Sequence, residues 1–147
     1  MDSIQVYIDL EGVLIDDWHS RLILYHKAQS IQQIISQYEV NYVTLFSYAI
    51  DNIRDFIEFN KYAHSLELTF DFTFDDVLTV EEIMDVARFN KHMWEFKLNG
   101  KRDGFIQYAT AMVKNTDQLC TFVLIDDNVN DEVVEVSDKL TVIFHKV

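Results

Sequence analysis

The sequence predicts an α/β fold, a three-layer sandwich on a mainly parallel five-stranded sheet. Short apolar runs of strand length alternate along the chain with longer stretches whose apolar residues step by three and four. Most of the short runs are apolar on both faces, as strands covered by helices on both sides must be. The 147 residues, 49% of them hydrophobic, suffice for one core and not for two, so a single domain over residues 1–147 is expected. No Ser-, Gln- or Gly-rich tract and no internal repeat interrupts it.

Ile4 to Leu10 is an apolar run ending in charge and predicts the first strand. From Asp17 onward Trp18, Leu22, Tyr25, Ala28, Ile31, Ile35 and Tyr38 mark one face of a helix of about six turns. Asn41 to Phe46 predicts a second strand, after which Ile53, Phe56 and Ile57 resume helical spacing to about His64. Leu66, Leu68, Phe70, Phe72 and Phe74 then alternate with Glu67, Thr69, Asp71 and Thr73, the pattern of an edge strand with one wet face. A second copy could pair there, the single hint of a homodimer. Thr79 with Glu82 forms a capping box for a helix through Val80, Ile83, Ala87 and Trp94, stopped by Asn99-Gly100. Phe105, Ile106, Ala109, Met112 and Val113 mark a further helix, and Leu119 to Ile125 and Leu140 to Phe144 complete the strands. Strands joined through helices run parallel with right-handed crossovers.

A net charge of -13 and a pI near 4.5 argue against nucleic-acid and anionic-membrane partners. The first residues run straight into a strand with no basic leader, and no apolar stretch reaches spanning length, so a soluble, cytoplasmic protein is expected. One cysteine, Cys120, cannot form an internal disulfide and reads as a small core residue in a reducing compartment. His19, His26, His64, His92 and His145 show no ligand spacing, which argues against zinc. With only Gly12, Gly100 and Gly104, no glycine-rich phosphate loop can follow any strand. Asp71, Asp75, Asp76, Glu81, Glu82 and Asp85 read as a solvated face and helix start.

In open parallel sheets ligands bind beyond the carboxyl ends of the strands. The first strand ends in Asp9 and Glu11, the second is followed by Thr44 and Ser47, Lys101 and Arg102 open the helix before the fourth, and the fourth ends in Asp126-Asp127. The last pair begins the string DDNVND, which closes on Asp131. Carboxylates gathered at one sheet edge raise each other's pKa unless a lysine and a divalent cation neutralise them, so a Mg²⁺ site is expected. Each residue alone is a common strand end, cap or loop lysine; the order and placement carry the signal.

In that order the motifs resemble those of the haloacid dehalogenase-like superfamily. YIDLEGVLID is similar to its D-x-D motif with Glu11 at the second acidic position; YVTLFS matches its Ser/Thr motif, with Ser47 ahead of Thr44; NGKRDGF supplies its lysine as Lys101; and DDNVND is similar to its acidic motif with both glycines replaced. The resemblance spans residues 4 to about 131 and implies a Rossmann-like core and a Mg²⁺-dependent phosphohydrolase. It implies Asp9 as nucleophile and metal ligand, Ser47 and Lys101 on the phosphoryl group, and Asp127 on the metal with Asp126 or Asp131 in support. Glu11 would be the general acid and base, touching the metal only through its backbone carbonyl.

Glutamate reaches one methylene further than aspartate, and displacement by about 1 Å can cost roughly a hundredfold in rate. The readings that stay open are a working phosphohydrolase, an impaired or repurposed relative, and another α/β function. A receiver domain would use similar residues for signalling, but there the acidic pair follows the first strand and the lysine follows the fifth. The resemblance puts substrate choice in cap insertions: almost no room is expected for one after the first strand, whereas residues 75–99 could form a minimal cap presenting Arg88, Lys91 or Trp94. The substrate would be a small phosphorylated molecule or a phosphorylated macromolecule reaching an open site.

Overall fold

In the computed structural model, which describes residues 3–87, 97 and 100–147, the apolar runs assemble into one six-stranded sheet. The strands are β1 (Ser3–Ile8), β2 (Tyr42–Phe46), β3 (Thr73–Leu78), β4 (Cys120–Asp126), β5 (Glu132–Glu135) and β6 (Leu140–Lys146). The helices are α1 (Ala28–Ser36), α2 (Ile53–Phe70), α3 (Val80–Val86) and α4 (Lys101–Met112). Strand order is β3-β2-β1-β4-β6-β5, parallel throughout except for the antiparallel β5–β6 pair.

The two-residue period of the strands divides the core between two faces. Val6, Ile8, Val43, Leu45, Val123 and Ile125 point to one side, where Ile31 and Ile35 of α1 and Phe59, Leu66 and Phe70 of α2 cover them. Tyr7, Phe46, Phe122, Leu124, Val142 and Phe144 point to the other, under Val80 and Ile83 of α3 and Phe105, Tyr108 and Ala109 of α4. Helices therefore flank the sheet on both sides. Cys120 is buried, as a core residue should be. No described helix is long and apolar enough to cross a membrane.

Three expectations are corrected. The helix expected from Asp17 does not start there. Residues 12–24 make a hairpin-like excursion closed by Asp16 N–H to Leu22 O (2.9 Å) and Leu24 N–H to Leu14 O (2.9 Å), and a regular helix begins only at Ala28. Asp17 Oδ1 accepts the amides of His19 (2.9 Å) and Ser20 (2.7 Å), so the carboxylate stabilises a turn in place of the first helical turn. Arg21 follows in the left-handed region at φ 57°.

Second, Leu66 to Phe70 belongs to α2 and not to an edge strand. A separation of four residues fits both the period of 2 and the period of 3.6, so Leu66 and Phe70 satisfy either pattern. The buried set Phe59, Leu66 and Phe70 is helical, with Leu68 71% exposed. The helix ends where Asp71 turns left-handed at φ 58°, and the edge strand starts at Thr73. That strand carries exposed Asp75 and Asp76, charges that discourage pairing with another chain. Third, the sheet has a sixth strand, β5, whose four residues Glu132–Glu135 are too short and too charged to stand out.

Thr79 caps α3, its hydroxyl accepting the Glu82 amide (3.2 Å) and facing the Glu82 carboxylate (3.3 Å). The described part of the expected cap, residues 75–87, is thus strand and core helix. Its continuation, with Arg88, Lys91 and Trp94, lies outside the described residues.

Candidate functional site

The chain winds from β1 outward to β2 and β3 on one side, then returns to lay β4 against the other side of β1. Such a switch point opens a crevice at the carboxyl ends of the two central strands. Asp9 follows β1 there, and its N–H donates to Ile125 O (2.9 Å), which sets it beside Asp126 at the end of β4. Both aspartates are buried, at 6% and 0% exposure.

Lys101, the first residue of α4, reaches into this crevice with its side chain 8% exposed. Its ammonium meets Asp9 Oδ1 (3.0 Å), Asp126 Oδ2 (3.1 Å) and Phe46 O (2.7 Å). An ammonium has three hydrogens, so these three acceptors use them all. The rings of Tyr48 and Phe46 lie 4.9 and 5.2 Å from the nitrogen. Burial works against the lysine's charge, but Asp9 and then Asp126 more than offset it, and its pKa is raised. Burial pushes the Asp9 carboxyl up to about 6, with Lys101 opposing and Asp126 adding to the rise.

Asp126 Oδ1 accepts the Asn128 amide (2.8 Å), whereas Asp127 Oδ1 is buried with no hydrogen-bond partner among the described residues. Burial, then the neighbouring Asp126, raise the Asp127 carboxyl above its usual range. One oxygen from each of Asp9, Asp126 and Asp127 falls in a group spanning no more than 4.8 Å. Three carboxylates and one ammonium sum to -2 when ionised, the charge a divalent cation would balance. The orphaned oxygen and the all-oxygen donor set fit a hard cation.

Ser47 follows the carbonyl that holds Lys101 and is 1% exposed. Its Oγ accepts the Ala49 amide (3.1 Å), leaving the hydroxyl hydrogen to donate elsewhere. Glu11 is not one of that acidic group; its Oε2 accepts the Trp18 amide (2.7 Å) in the excursion. Three other nominated residues stand away from the cluster. Thr44 is in mid-strand, registered with Tyr7 and Asp76. Arg102 is exposed and forks onto Glu132 (2.8 and 2.9 Å), because successive residues at a helix start point in different directions. Asp131 Oδ1 is taken by the Lys146 amide (2.8 Å) at the end of β6.

Two residues gain importance that sequence reasoning did not assign them. Gly12 adopts φ +77°, and a Cβ there would stand 2.1 Å from Asp127 Oδ2, so only glycine lets the first motif close on the fourth. Lys27 Nζ donates to Gly12 O (2.5 Å), and its charge favours the ionised form of Asp127. The glycine stood inside the first motif as a signal; Lys27 gave none.

Comparison of the chain with protein-family models, curated proteins and solved structures finds no match in any of the three.

Proposed function

We propose that the protein is a Mg²⁺-dependent phosphohydrolase working through an aspartyl-phosphate on Asp9. The observation that carries this reading is the ammonium of Lys101 bridging Asp9 and Asp126, beside an Asp127 oxygen that has no partner among the described residues, at a topological switch point. It agrees with what the resemblance to the haloacid dehalogenase-like superfamily implies for these same positions.

Asp9, Asp126 and Asp127 would hold the cation, which would supply charge neutralisation for the phosphoryl oxygens. Lys101 keeps Asp9 ionised and aimed; with its three hydrogens engaged, it acts on the nucleophile first and reaches a phosphoryl oxygen only by releasing a partner. Ser47 donates its free hydroxyl hydrogen to the phosphoryl group. An Asp9 oxygen attacks phosphorus, the bond to the leaving oxygen breaks, and Glu11 protonates that oxygen. Water then attacks the same phosphorus while Glu11 takes its proton, releasing phosphate and restoring Asp9. The substrate class is a phosphorylated small molecule or an exposed phosphate on a macromolecule.

Release of an aryl alcohol from a generic aryl phosphate, with and without Mg²⁺, tests the reading. Asp9→Asn should lower the rate by at least about a thousandfold, since groups that act as a unit fail together. Equal activity of the variant and the wild type sinks the mechanism.

A second reading, a binding protein with damaged acid/base chemistry, draws on the engagement of Glu11 Oε2 by the Trp18 amide. Under that reading the wild type is nearly silent and Glu11→Asp restores turnover by about 10²-fold or more. Silence of both proteins, with Mg²⁺ still bound, would leave a binding role.

A further inference from the structure

We propose that Arg21 is a positioning residue for Glu11: it ties the tip of the 12–24 excursion to α2 and so fixes the Glu11 carboxylate. The inference rests on the reading of Glu11 as the acid and base at Asp9.

Trp18 is held by both of its backbone groups. Its N–H donates to Glu11 Oε2 (2.7 Å), and its carbonyl accepts from Arg21 Nε (2.9 Å). The same guanidinium donates through Nη1 to Glu58 Oε1 (3.0 Å) and Tyr62 Oη (2.8 Å), one turn apart on α2. It also lies over the Trp18 ring at 4.0 Å and the Tyr62 ring at 4.8 Å. One side chain therefore joins α2, the excursion tip and, through a single residue, the Glu11 carboxylate. A guanidinium spreads its donors over a rigid plane and can reach partners set well apart, whereas an ammonium gathers its three donors at one atom.

Apolar packing provides part of that fixation, with the Trp18 ring 6.3 Å from Phe59 and 6.5 Å from Tyr62 between centroids and Ile15 buried. A cavity of about 100 Å³ lies between Leu10, Ile15 and Trp18 on one side and Phe59, Tyr62 and Leu66 on the other. The cavity leaves that packing incomplete, and the polar bonds of Arg21 complete the placement of the tip. The backbone adds a second sign. Arg21 sits at φ 57°, a conformation that glycine adopts freely and arginine does not, so the site holds arginine against the local preference of the chain.

That geometry supplies an unusually clean variant. Arg21→Gly removes the fork while suiting the backbone, and Arg21→Lys keeps the charge but cannot reach Trp18, Glu58 and Tyr62 together. Hydrogen exchange at the Trp18 amide reads the bond to Glu11 without requiring turnover. It should accelerate at least about tenfold in Arg21→Gly, matching Glu11→Ala, with Arg21→Lys between. In aryl-phosphate hydrolysis Arg21→Gly should lower kcat by about tenfold to a hundredfold and leave KM within about twofold, because positioning of the acid and base is lost and binding at the cation is not.

Wild-type exchange at Trp18 in Arg21→Gly would overturn the proposal, as would a released amide with unchanged kcat. A wild type with no Mg²⁺-dependent turnover would overturn the phosphohydrolase reading instead. The exchange result alone would then decide whether Arg21 fixes the Glu11 carboxylate.

Discussion

The Lys101 cluster and the excursion that holds Glu11 are built by different means. At the cluster, residues from β1, β4, α4 and the end of β2 converge in a buried crevice, and an ammonium with every hydrogen engaged locks them together. At the excursion, residues 12–24 leave the sheet and return, held by a few polar bonds and by the buried Val13, Leu14 and Ile15, with a cavity beside the tip. The two regions serve the two halves of the proposed reaction, nucleophile and cation in one, proton transfer in the other. A buried ion cluster tolerates no loss of a partner, whereas a surface arm can lose a contact and remain folded. Damage to the first should therefore appear in stability and cation binding as well as in turnover, and damage to the second in turnover alone.

The most severe test of this division is Lys101→Met. Two buried carboxylates would lose their common partner, at a cost of about 3–5 kcal/mol in stability without divalent cation. Urea unfolding with and without Mg²⁺ should show the loss and a partial recovery on adding the cation; a variant as stable as the wild type would dissolve the contrast between the regions.

Next in size is the pH dependence. The folded pKa of Asp9, about 6, lies above its unfolded value, so its contribution to stability is fully present below about pH 4 and is lost as the pH rises through about 6. A rise of about two pH units corresponds to roughly 3 kcal/mol. Without divalent cation the wild type should lose stability relative to Asp9→Asn between pH 4 and 7, measured by urea unfolding across that range. A constant difference would mean that Asp9 does not titrate in this window. Mg²⁺ should stabilise the wild type increasingly over the same range, because its ligands must be deprotonated.

The smallest effect on stability is expected at the joint between the regions. Gly12→Ala forces a side chain into the left-handed region and against the Asp127 carboxylate. A loss of about 1–2 kcal/mol is expected from the backbone alone, together with about tenfold weaker Mg²⁺ binding by calorimetry. Weaker binding with unchanged exchange at Trp18 would sharpen the comparison; release of Trp18 as well would show that the two regions move together.

The fold class was legible because its signals are local. The doubly apolar runs Ile4–Leu10 and Leu119–Ile125 could only be strands covered on both sides, and Thr79 and Glu82 announced a helix start that the structure carries. The reading failed where two periods coincide, at Leu66 and Phe70, and where apolar spacing crossed a turn, at Trp18 and Leu22. No local pattern reveals that Asp17 will spend its carboxylate on turn amides or that Arg21 will turn left-handed.

What the sequence by itself determined is the order of polar groups along the chain: Asp9, Ser47 and Asp126-Asp127 follow their apolar runs, and Lys101 opens the helix before the last of these, whatever the sheet does. Only the tertiary structure decided which of them meet. It brought Asp127 to the acidic group and left Asp131 to β6, put Ser47 and not Thr44 beyond the end of β2, and turned Arg102 outward while burying Lys101 beside it. The reason is that convergence depends on the register between strands far apart in the chain, and on contacts as close as Gly12 against Asp127, neither of which has a period to be read.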